Sequence, residues 1–149
     1  MKINSSYAVP LSAERLWQAI TDPEILKACL NSCYEVNRLD HGEYIALFHI
    51  KIGPVQNHYS AKLKIIDSNA IEKYKLQVSV KSDDQVTAEA KADVRLESMD
   101  EDNARINYSA EIVVYGPLAK IGALVIKPFA KKQIGYFFDR ISEQVTKGR

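Results

Sequence analysis

The side chains best suited to acid–base chemistry are three histidines, and their sequence positions argue against an active site. His41 and His58 lie in or next to predicted turns, while His49 falls on the outward face of a predicted strand. The sequence has no serine in a nucleophile-elbow context, no glycine-rich phosphate loop and no paired metal-ligand motif. We therefore predict no catalytic residues and expect the protein not to be an enzyme.

Two cysteines supply the thiol chemistry of the sequence. Cys29 and Cys33 are four residues apart, and they would share one side of a helix that ran through both. Structural zinc takes four protein ligands, and only His41 is close in sequence as a further donor. The sequence therefore predicts no metal and no cofactor, and the cysteines are interpreted as small apolar side chains in a reducing compartment.

Two segments of strict apolar–polar alternation occupy the second half of the chain. Alternation of period two is typical of strands with one buried side and one side in solvent. In the first segment the inward positions are Val86, Ala88, Ala90, Ala92, Val94 and Leu96. In the second segment they are Ala104, Ile106, Tyr108, Ala110, Ile112 and Val114. The long apolar segment after Gly116-Pro117 is expected to form the helix that covers this inward face.

The three consecutive inward alanines predict space under that helix. Small wall residues either let the helix come close or leave a hollow, and an apolar ligand would occupy such a hollow. A completely filled core would give the same alternation, so the pattern alone leaves both outcomes open. The candidate ligand-binding residues are Phe48, Tyr59, Tyr74, Ala90, Tyr108, Leu118, Ile121 and Val125. Trp17 is expected to be structural, packing the small helices against the sheet.

The order of patterns predicts one strand, two short helices, six strands in series and one long helix, which is an α+β arrangement. Short, turn-like connections predict antiparallel neighbours. The predicted strands cover residues 2–9, 34–39, 44–52, 59–66, 73–80, 86–96 and 104–115, and turns are predicted at 40–42 and 67–69, among others. The predicted helices are a short one through 16–20, a second over 24–29 and a long one over 118–146. Pro128 is expected to kink the long helix, because proline removes a backbone hydrogen bond.

Length and charge narrow the class of protein. The sequence has 149 residues, 20 basic and 19 acidic side chains, and no visible linker or repeat. We therefore predict one domain over residues 1–149 and no binding to nucleic acid. No secretory signal precedes the first predicted strand, and no apolar stretch approaches the ~20 residues needed to span a bilayer. These features predict a cytoplasmic protein.

The charges are distributed unevenly along the chain. Residues 83–102 carry eight acidic side chains, whereas residues 117–149 carry seven basic side chains and only two acidic ones. A solvated helix face, with late cations that complement the helix dipole, would explain the basic end. The alternative is a surface that meets an acidic partner, or anionic lipid at the inner membrane face, through Lys127, Lys131 and Lys132.

Several short motifs occur in a characteristic order along nearly the whole chain. They are Val9-Pro10, Leu16-Trp17, Thr21-Asp22-Pro23, Leu26, Ala28-Cys29-Leu30, Gly53-Pro54-Val55, the segment from Tyr115 to Gly122, and Phe137-Phe138. Together they resemble the family of the carbon monoxide dehydrogenase G subunit, within the START and polyketide cyclase-like (SRPBCC) superfamily. The sequence departs from the family at Asn31-Ser32, where Pro-Gly usually follows the cysteine helix.

The resemblance implies a helix-grip fold of the START and Bet v 1 type, in which a seven-stranded antiparallel sheet surrounds a long C-terminal helix. It also implies a pocket under that helix for a lipid, a quinone or a similar apolar molecule. The implied role is accessory, in assembling a dehydrogenase of the molybdenum hydroxylase type or recruiting it to the membrane. Two alternatives stay open. One is a polyketide cyclase/dehydrase-like enzyme, in which Tyr59, Tyr74 and Tyr108 would steer proton transfers, and the other is a protein-docking module with no ligand.

Overall fold

One antiparallel sheet of seven strands forms the scaffold. The computed structural model describes residues 1–40, 42–69 and 72–147. The strands are β1 (Lys2–Val9), β2 (Cys33–Asp40), β3 (Glu43–Ile52), β4 (Val55–Asn69), β5 (Lys73–Ser82), β6 (Gln85–Asp100) and β7 (Asn103–Val114). Their order is β1-β7-β6-β5-β4-β3-β2, so β1 and β2 are the edges, and β2 pairs with β3 through two register shifts. Strands β2 to β7 form the predicted meander, while β1 pairs with β7.

Two short helices connect β1 to β2, as the sequence predicted. They are α1 (Ala13–Ile20) and α2 (Pro23–Cys29). Ser12 precedes the first and Asp22 precedes the second, and each side-chain oxygen accepts a hydrogen bond from a backbone N–H of the turn that follows, at 3.2 and 2.9 Å. These bonds satisfy donors that have no partner within the helix, which is why the two helices begin where they do.

The C-terminal helical segment is divided in two, so the prediction of one helix over residues 118–146 is wrong. Helix α3 (Pro117–Ile121) ends at Gly122, and α4 (Ala123–Lys147) follows it. Gly122 has a φ of 90°, a conformation that side chains other than glycine rarely adopt. The break therefore falls at a glycine, while Pro128 lies inside α4 and its kink stays a prediction.

The inner face of the sheet packs against the helices in two separate apolar clusters. The large cluster joins α1 and the second half of α4 to β1, β5, β6 and β7. Its buried members include Ile3, Leu16, Tyr74, Ile106, Tyr108, Phe138 and Ile141. The small cluster has the buried members Ile52, Tyr59, Leu118 and Ile126, with Phe48, Ile121 and other residues packed against it. The apolar positions of the alternating strands thus face the helices, as predicted.

The beginning of β6 differs from the predicted alternation, because Val86 does not face inward. Val86 is 38% exposed, whereas Thr87 is buried and its hydroxyl donates a hydrogen bond to the carbonyl of Val80 at 3.3 Å. Val80 pairs with Ala88, while the next residue of β5 pairs with Val86. Thr87 is therefore the extra residue of a β-bulge. From Ala88 to Leu96 the alternation holds.

Several strands are longer than predicted. Strand β4 covers Val55–Asn69 instead of 59–66, so His58 lies inside a strand and the backbone at 67–69 is strand rather than turn. The polar residues there have turn propensity, but pairing with a neighbouring strand can override it. His41 lies outside the described residues.

Candidate functional site

Four of the predicted ligand-binding residues meet at one end of the inner face. Tyr59 and Leu118 are buried members of the small cluster, and Phe48 and Ile121 pack against it from β3 and α3. Burial raises the pKa of the Tyr59 phenol, because the charged form would lose its hydration. This end of the inner face is therefore apolar and is closed by α3.

Two further predicted residues, Tyr74 and Tyr108, are buried in the large cluster. Trp17 packs edge-on against Tyr74, with ring centroids 5.2 Å apart, which places it between the small helices and the sheet. Burial raises the pKa of Tyr74. Burial and the neighbouring Tyr7 raise the pKa of Tyr108 to about 12. Both phenols are protonated at neutral pH, so they can donate a proton but cannot act as bases.

The Tyr108 hydroxyl is buried and forms no hydrogen bond of ordinary geometry among the residues that the structure describes, although the Tyr7 phenol is close enough to interact with it. Its ring is parallel to that of Tyr7, with centroids 6.3 Å apart, and Tyr7 packs on Phe138 of α4 at 5.1 Å. An unpaired buried donor of this kind costs about 1–3 kcal/mol. A ligand oxygen or a water that reached the Tyr108 hydroxyl would remove that cost.

Between the two clusters lies a row of half-buried apolar side chains, which we call the inner row: Leu63, Val78, Ala88 and Ala90. Leu63, Val78 and Ala90 are cross-strand partners on β4, β5 and β6. As far as the structure describes the chain, the inner row belongs to neither cluster. Interiors are normally packed without gaps, so apolar residues that stay half-buried on the covered face are the first candidates for the wall of an internal space.

The path of α4 accounts for the incomplete burial of the inner row. The helix approaches β1 and β3 more closely than it approaches the strands between them. In the first part of α4, Ile126 packs in the small cluster. In the second part, Phe138 and Ile141 pack in the large cluster. The inner row lies between these two contacts, on the central strands of the sheet.

Val125, the last of the predicted residues, lies outside the small cluster. Its side chain is 42% exposed, whereas that of the neighbouring Ile126 is buried there. The break at Gly122 restarts the helix, so the helical spacing counted from Leu118 does not continue into α4. The buried position in the first turn of α4 is therefore Ile126, one residue after the predicted Val125.

Three members of the inner row, Leu63, Val78 and Ala88, were not among the predicted ligand-binding residues. Alternation places all three on the inner face of their strands, and that signal was present in the sequence. The prediction selected Ala90 because of its small size, and size does not identify larger side chains that the helices fail to cover. Their exposure depends on the path of α4, which a periodic pattern does not encode.

The histidines and cysteines of the described chain lie away from this space. His49 and His58 are cross-strand partners on the outer face, with ring centroids 4.5 Å apart. Cys29 ends α2 and Cys33 begins β2, so the helix does not run through both. Burial raises the pKa of the Cys29 thiol to about 11. Within residues 1–40, 42–69 and 72–147, no group of three or more His, Cys, Asp or Glu could hold a metal ion.

A groove of about 540 Å³ lies on the outer face of the sheet. Charged and polar side chains of β3 to β7 line it, together with Val78, Ala90 and Val113, and several of the charged and polar groups already interact with one another. Lys64 and Glu43 form an ion pair at 3.6 Å, and the Tyr115 hydroxyl donates to Glu89 at 2.8 Å. Such a lining suits solvent or polar groups and does not suit an apolar ligand.

Comparison with known families gives a match over most of the chain. Residues 6–146 match the family of the carbon monoxide dehydrogenase G subunit (CoxG). The chain belongs to this family. A comparison of this CoxG-family chain with curated proteins found no match.

Solved structures share the fold of this CoxG-family protein. A conserved protein from Geobacillus kaustophilus has a TM-score of 0.89 and 25% sequence identity, over 99% of this chain and 96% of that chain. A START superfamily protein from Mycobacterium smegmatis has a TM-score of 0.71 and 10% identity, over 99% of each chain. The Zhui aromatase/cyclase from Streptomyces sp. R1128 has a TM-score of 0.70 and 8% sequence identity, over 99% of this chain and 94% of that chain. The fold is the START/polyketide cyclase helix-grip fold.

Proposed function

We propose that this CoxG-family protein binds an apolar small molecule, such as a lipid or a quinone, between the inner face of the sheet and helices α3 and α4. The half-burial of the inner row, between two packed clusters, is the observation that carries the proposal. Binding sites for small apolar ligands are concave and mostly apolar, with a few polar groups that fix orientation. Residues 1–149 are proposed to act as one domain, because β1 pairs with β7.

The proposed site has an apolar end, an apolar wall and one polar contact. Phe48, Tyr59, Leu118 and Ile121 would close the end next to α3, and Ala90 would form the wall. Tyr74 and Tyr108 would lie at the opposite end, where the Tyr108 hydroxyl lacks a hydrogen bond of ordinary geometry among the described side chains. This arrangement suits an elongated apolar molecule that carries an oxygen at one end.

We infer that the bound molecule serves a dehydrogenase of the molybdenum hydroxylase type, during its assembly or its recruitment to a membrane. The support is membership of a family described by a component of carbon monoxide dehydrogenase. Affinity purification of a tagged chain under the conditions that induce such a dehydrogenase tests this inference. Recovery of the dehydrogenase would support it, and its absence from the eluate would contradict it.

Native mass spectrometry of gently purified protein, followed by solvent extraction, tests ligand binding directly. We expect one lipophilic species per chain, released by the solvent and identified by its mass. If the protein is recovered without ligand, it is mixed with a panel of quinones and fatty acids. An apo mass without uptake from that panel would contradict the proposal and favour a protein-docking module.

The substitution Ala90→Trp tests the position of the ligand. A tryptophan at this point of the inner row would fill the space in front of it, so we expect loss of uptake with the fold retained. Ala8→Trp is the matched control, because Ala8 is also a strand alanine but lies exposed on β1. Far-UV circular dichroism checks the fold of both variants. Undiminished uptake by folded Ala90→Trp would place the ligand elsewhere.

A cyclase/dehydrase-like enzyme is the second candidate, and the buried Tyr108 hydroxyl favours it. A phenol that is protonated at neutral pH, with no hydrogen bond of ordinary geometry within the described ranges, could donate its proton to a hydroxyl group of the ligand as the C–O bond breaks, so that water leaves. The phenolate would then take up the proton released from the neighbouring carbon as the double bond forms. Mass analysis of the bound molecule before and after incubation separates the two candidates. Loss of one water that requires Tyr108 indicates catalysis, whereas an unchanged mass supports binding alone.

A further inference from the structure

Two histidines face each other on the outer side of the sheet, away from the proposed ligand site. His49 on β3 and His58 on β4 are cross-strand partners, and both side chains are exposed. Their rings are nearly parallel, with an interplanar angle of 21° and centroids 4.5 Å apart. Imidazole is the commonest metal ligand in proteins and suits zinc and copper. The pair therefore holds two metal-ligating groups side by side.

The backbone brings these two side chains as close together as an antiparallel ladder allows. The backbone N–H of His49 donates to the carbonyl of Ser32 at 3.2 Å, and the N–H of His58 donates to Asn57 Oδ1 at 2.9 Å. Neither N–H donates to the opposite histidine, so the two form a non-hydrogen-bonded pair. In such a pair the Cα atoms lie about 4.5 Å apart, and the side chains are closer than in a hydrogen-bonded pair. Two imidazoles held in this way can converge on one ion without a change in the backbone.

One nitrogen of the pair already acts as a hydrogen-bond acceptor. The side-chain nitrogen of Gln56 lies 3.3 Å from His49 Nε2. An amide nitrogen can only donate, so in this arrangement His49 Nε2 presents its lone pair and the ring proton is on Nδ1. A metal ion needs the same lone pair, and the exposed side chain of Gln56 can move aside. The arrangement corresponds to the neutral imidazole that binds a metal ion.

The surroundings of the pair are open to solvent. Tyr34, at the first register shift of β2, lies edge-on to His58, with ring centroids 6.2 Å apart. The next outward pair towards the hairpin turn is Lys51 with Gln56, and both are exposed. A cation such as Lys51 disfavours a second cation nearby, so affinity for a metal must come from the imidazole nitrogens. The helices pack on the inner face, and within the described residues none is long and apolar enough to cross a membrane.

We propose that His49 and His58 form a binding site for a divalent transition-metal ion, Zn²⁺ or Cu²⁺. Each histidine would supply one nitrogen and water would fill the remaining positions. Tetrahedral bonds of about 2.0–2.1 Å, typical of zinc and histidine, place two nitrogens about 3.3 Å apart. Exposed rings with centroids 4.5 Å apart reach that spacing by rotation about their side-chain bonds. Structural zinc takes four protein ligands, so a site of two histidines would hold an exchangeable ion.

The ion would join β3 to β4 directly behind the apolar end of the proposed ligand site. Phe48 precedes His49 and Tyr59 follows His58, and Phe48 and Tyr59 are cross-strand partners that pack in or against the small cluster. The two histidines are nine residues apart in the sequence, so only the register of the strands reveals the pair. The link to the ligand site rests on the proposed function, whereas metal binding itself does not.

Isothermal titration calorimetry of the tag-free protein with ZnCl₂ and CuCl₂ tests the proposal, with MgCl₂ for comparison. We expect one ion per chain, tighter binding of Cu²⁺ than of Zn²⁺, and no binding of Mg²⁺, which prefers oxygen ligands. His49→Gln and His58→Gln should each bind at least about 10-fold more weakly, because even the loss of a group that only supports a ligand costs about 10–100-fold. The matched control is His41→Gln, which removes the remaining histidine of the sequence and should keep the affinity.

Electron paramagnetic resonance of the Cu²⁺ complex identifies the ligands. We expect hyperfine coupling to two imidazole nitrogens in the natural chain and to one in each single variant. Cys33→Ser is a second control, because the Cys33 thiol is partly exposed on the neighbouring strand β2. Circular dichroism checks the fold of each variant. Unchanged affinity in His49→Gln or His58→Gln, an equal loss in His41→Gln, or a loss of binding in Cys33→Ser would overturn the proposal.

The metal site and the ligand site fail separately. Uptake of a fluorescent fatty acid, measured without metal, should persist in His58→Gln and be lost in Ala90→Trp. Binding of Zn²⁺ should show the reverse pattern. Loss of both properties in either variant, with the fold retained, would overturn the separation of the two sites.

Discussion

At the scale of single residues, two buried tyrosines differ in the hydrogen bonding of their hydroxyl groups. Tyr44 donates a hydrogen bond to the carbonyl of Thr21 at 2.8 Å, which ties β3 to the connection between α1 and α2. The Tyr108 hydroxyl forms no hydrogen bond of ordinary geometry among the described residues. Substitution of tyrosine by phenylalanine, which removes only the hydroxyl group, should therefore have opposite effects on stability at the two positions.

We expect Tyr108→Phe to raise the free energy of unfolding of the ligand-free protein by about 1 kcal/mol, because it removes an unpaired buried donor. Tyr44→Phe should lower it by a similar amount, because it removes a hydrogen bond. Urea denaturation of both variants measures the two changes. A loss of stability in Tyr108→Phe would show that its hydroxyl has a partner in solution, such as the Tyr7 hydroxyl or an ordered water.

The Cys29 thiol gives stability a dependence on alkaline pH. Burial raises its pKa in the folded protein from 9.0 to about 11, so the unfolded chain releases the proton first. The thiol's contribution is complete below pH 9 and is lost as the pH rises towards 11. We expect Cys29→Val to show a shallower loss of stability across this window, measured by urea denaturation under reducing conditions. An unchanged slope would mean that the thiol is not shielded from water.

At the scale of secondary-structure elements, the sequence predicts the features that follow from hydrophobic periodicity and from helix caps. The alternation around Ala90 predicted which face of β6 is buried, and Asp22 predicted where α2 begins. The sequence does not predict what depends on a neighbouring element. The bulge at Thr87 follows from the register between β5 and β6, and the exposure of Leu63 follows from the path of α4. In the sequence, apolar residues stand at helical spacing on both sides of Gly122, so this pattern alone does not reveal that the structure breaks the helix there.

The break between α3 and α4 should depend on the glycine at position 122. Its φ of 90° and ψ of 164° belong to a region that glycine almost alone occupies, so we expect Gly122→Ala to lower the free energy of unfolding by about 1–3 kcal/mol. Gly135→Ala is the control within α4. An added methyl there would meet the Tyr7 hydroxyl at an ordinary 3.5 Å, and alanine favours the helix by up to about 1 kcal/mol. Thermal denaturation of both distinguishes strain from helix propensity, and equal effects would contradict the account.

At the scale of the whole molecule, a ligand bound between the two clusters would contact both of them and so stabilise the folded protein as a unit. Burial of a ligand that binds only the folded state adds about 2.7 kcal/mol at a hundredfold excess over Kd. We expect the extracted lipophilic species, added back to apo protein, to raise Tm by several degrees, and to leave Tm of Ala90→Trp unchanged. Differential scanning calorimetry measures both. An equal rise in the variant would point to binding outside the inner row, for example in the outer groove.

The irregular edge strand β2 has a consequence for the behaviour of the protein at high concentration. Its pairing with β3 shifts register between Cys33 and Glu35 and again between Arg38 and Asp40, and charged side chains lie at both shifts. A regular row of backbone donors and acceptors is what an added strand from another molecule would need, and bulges and charges at an edge interrupt it. The meander therefore ends in a strand that resists strand-by-strand polymerisation, so this edge of the open sheet is a poor template for aggregation.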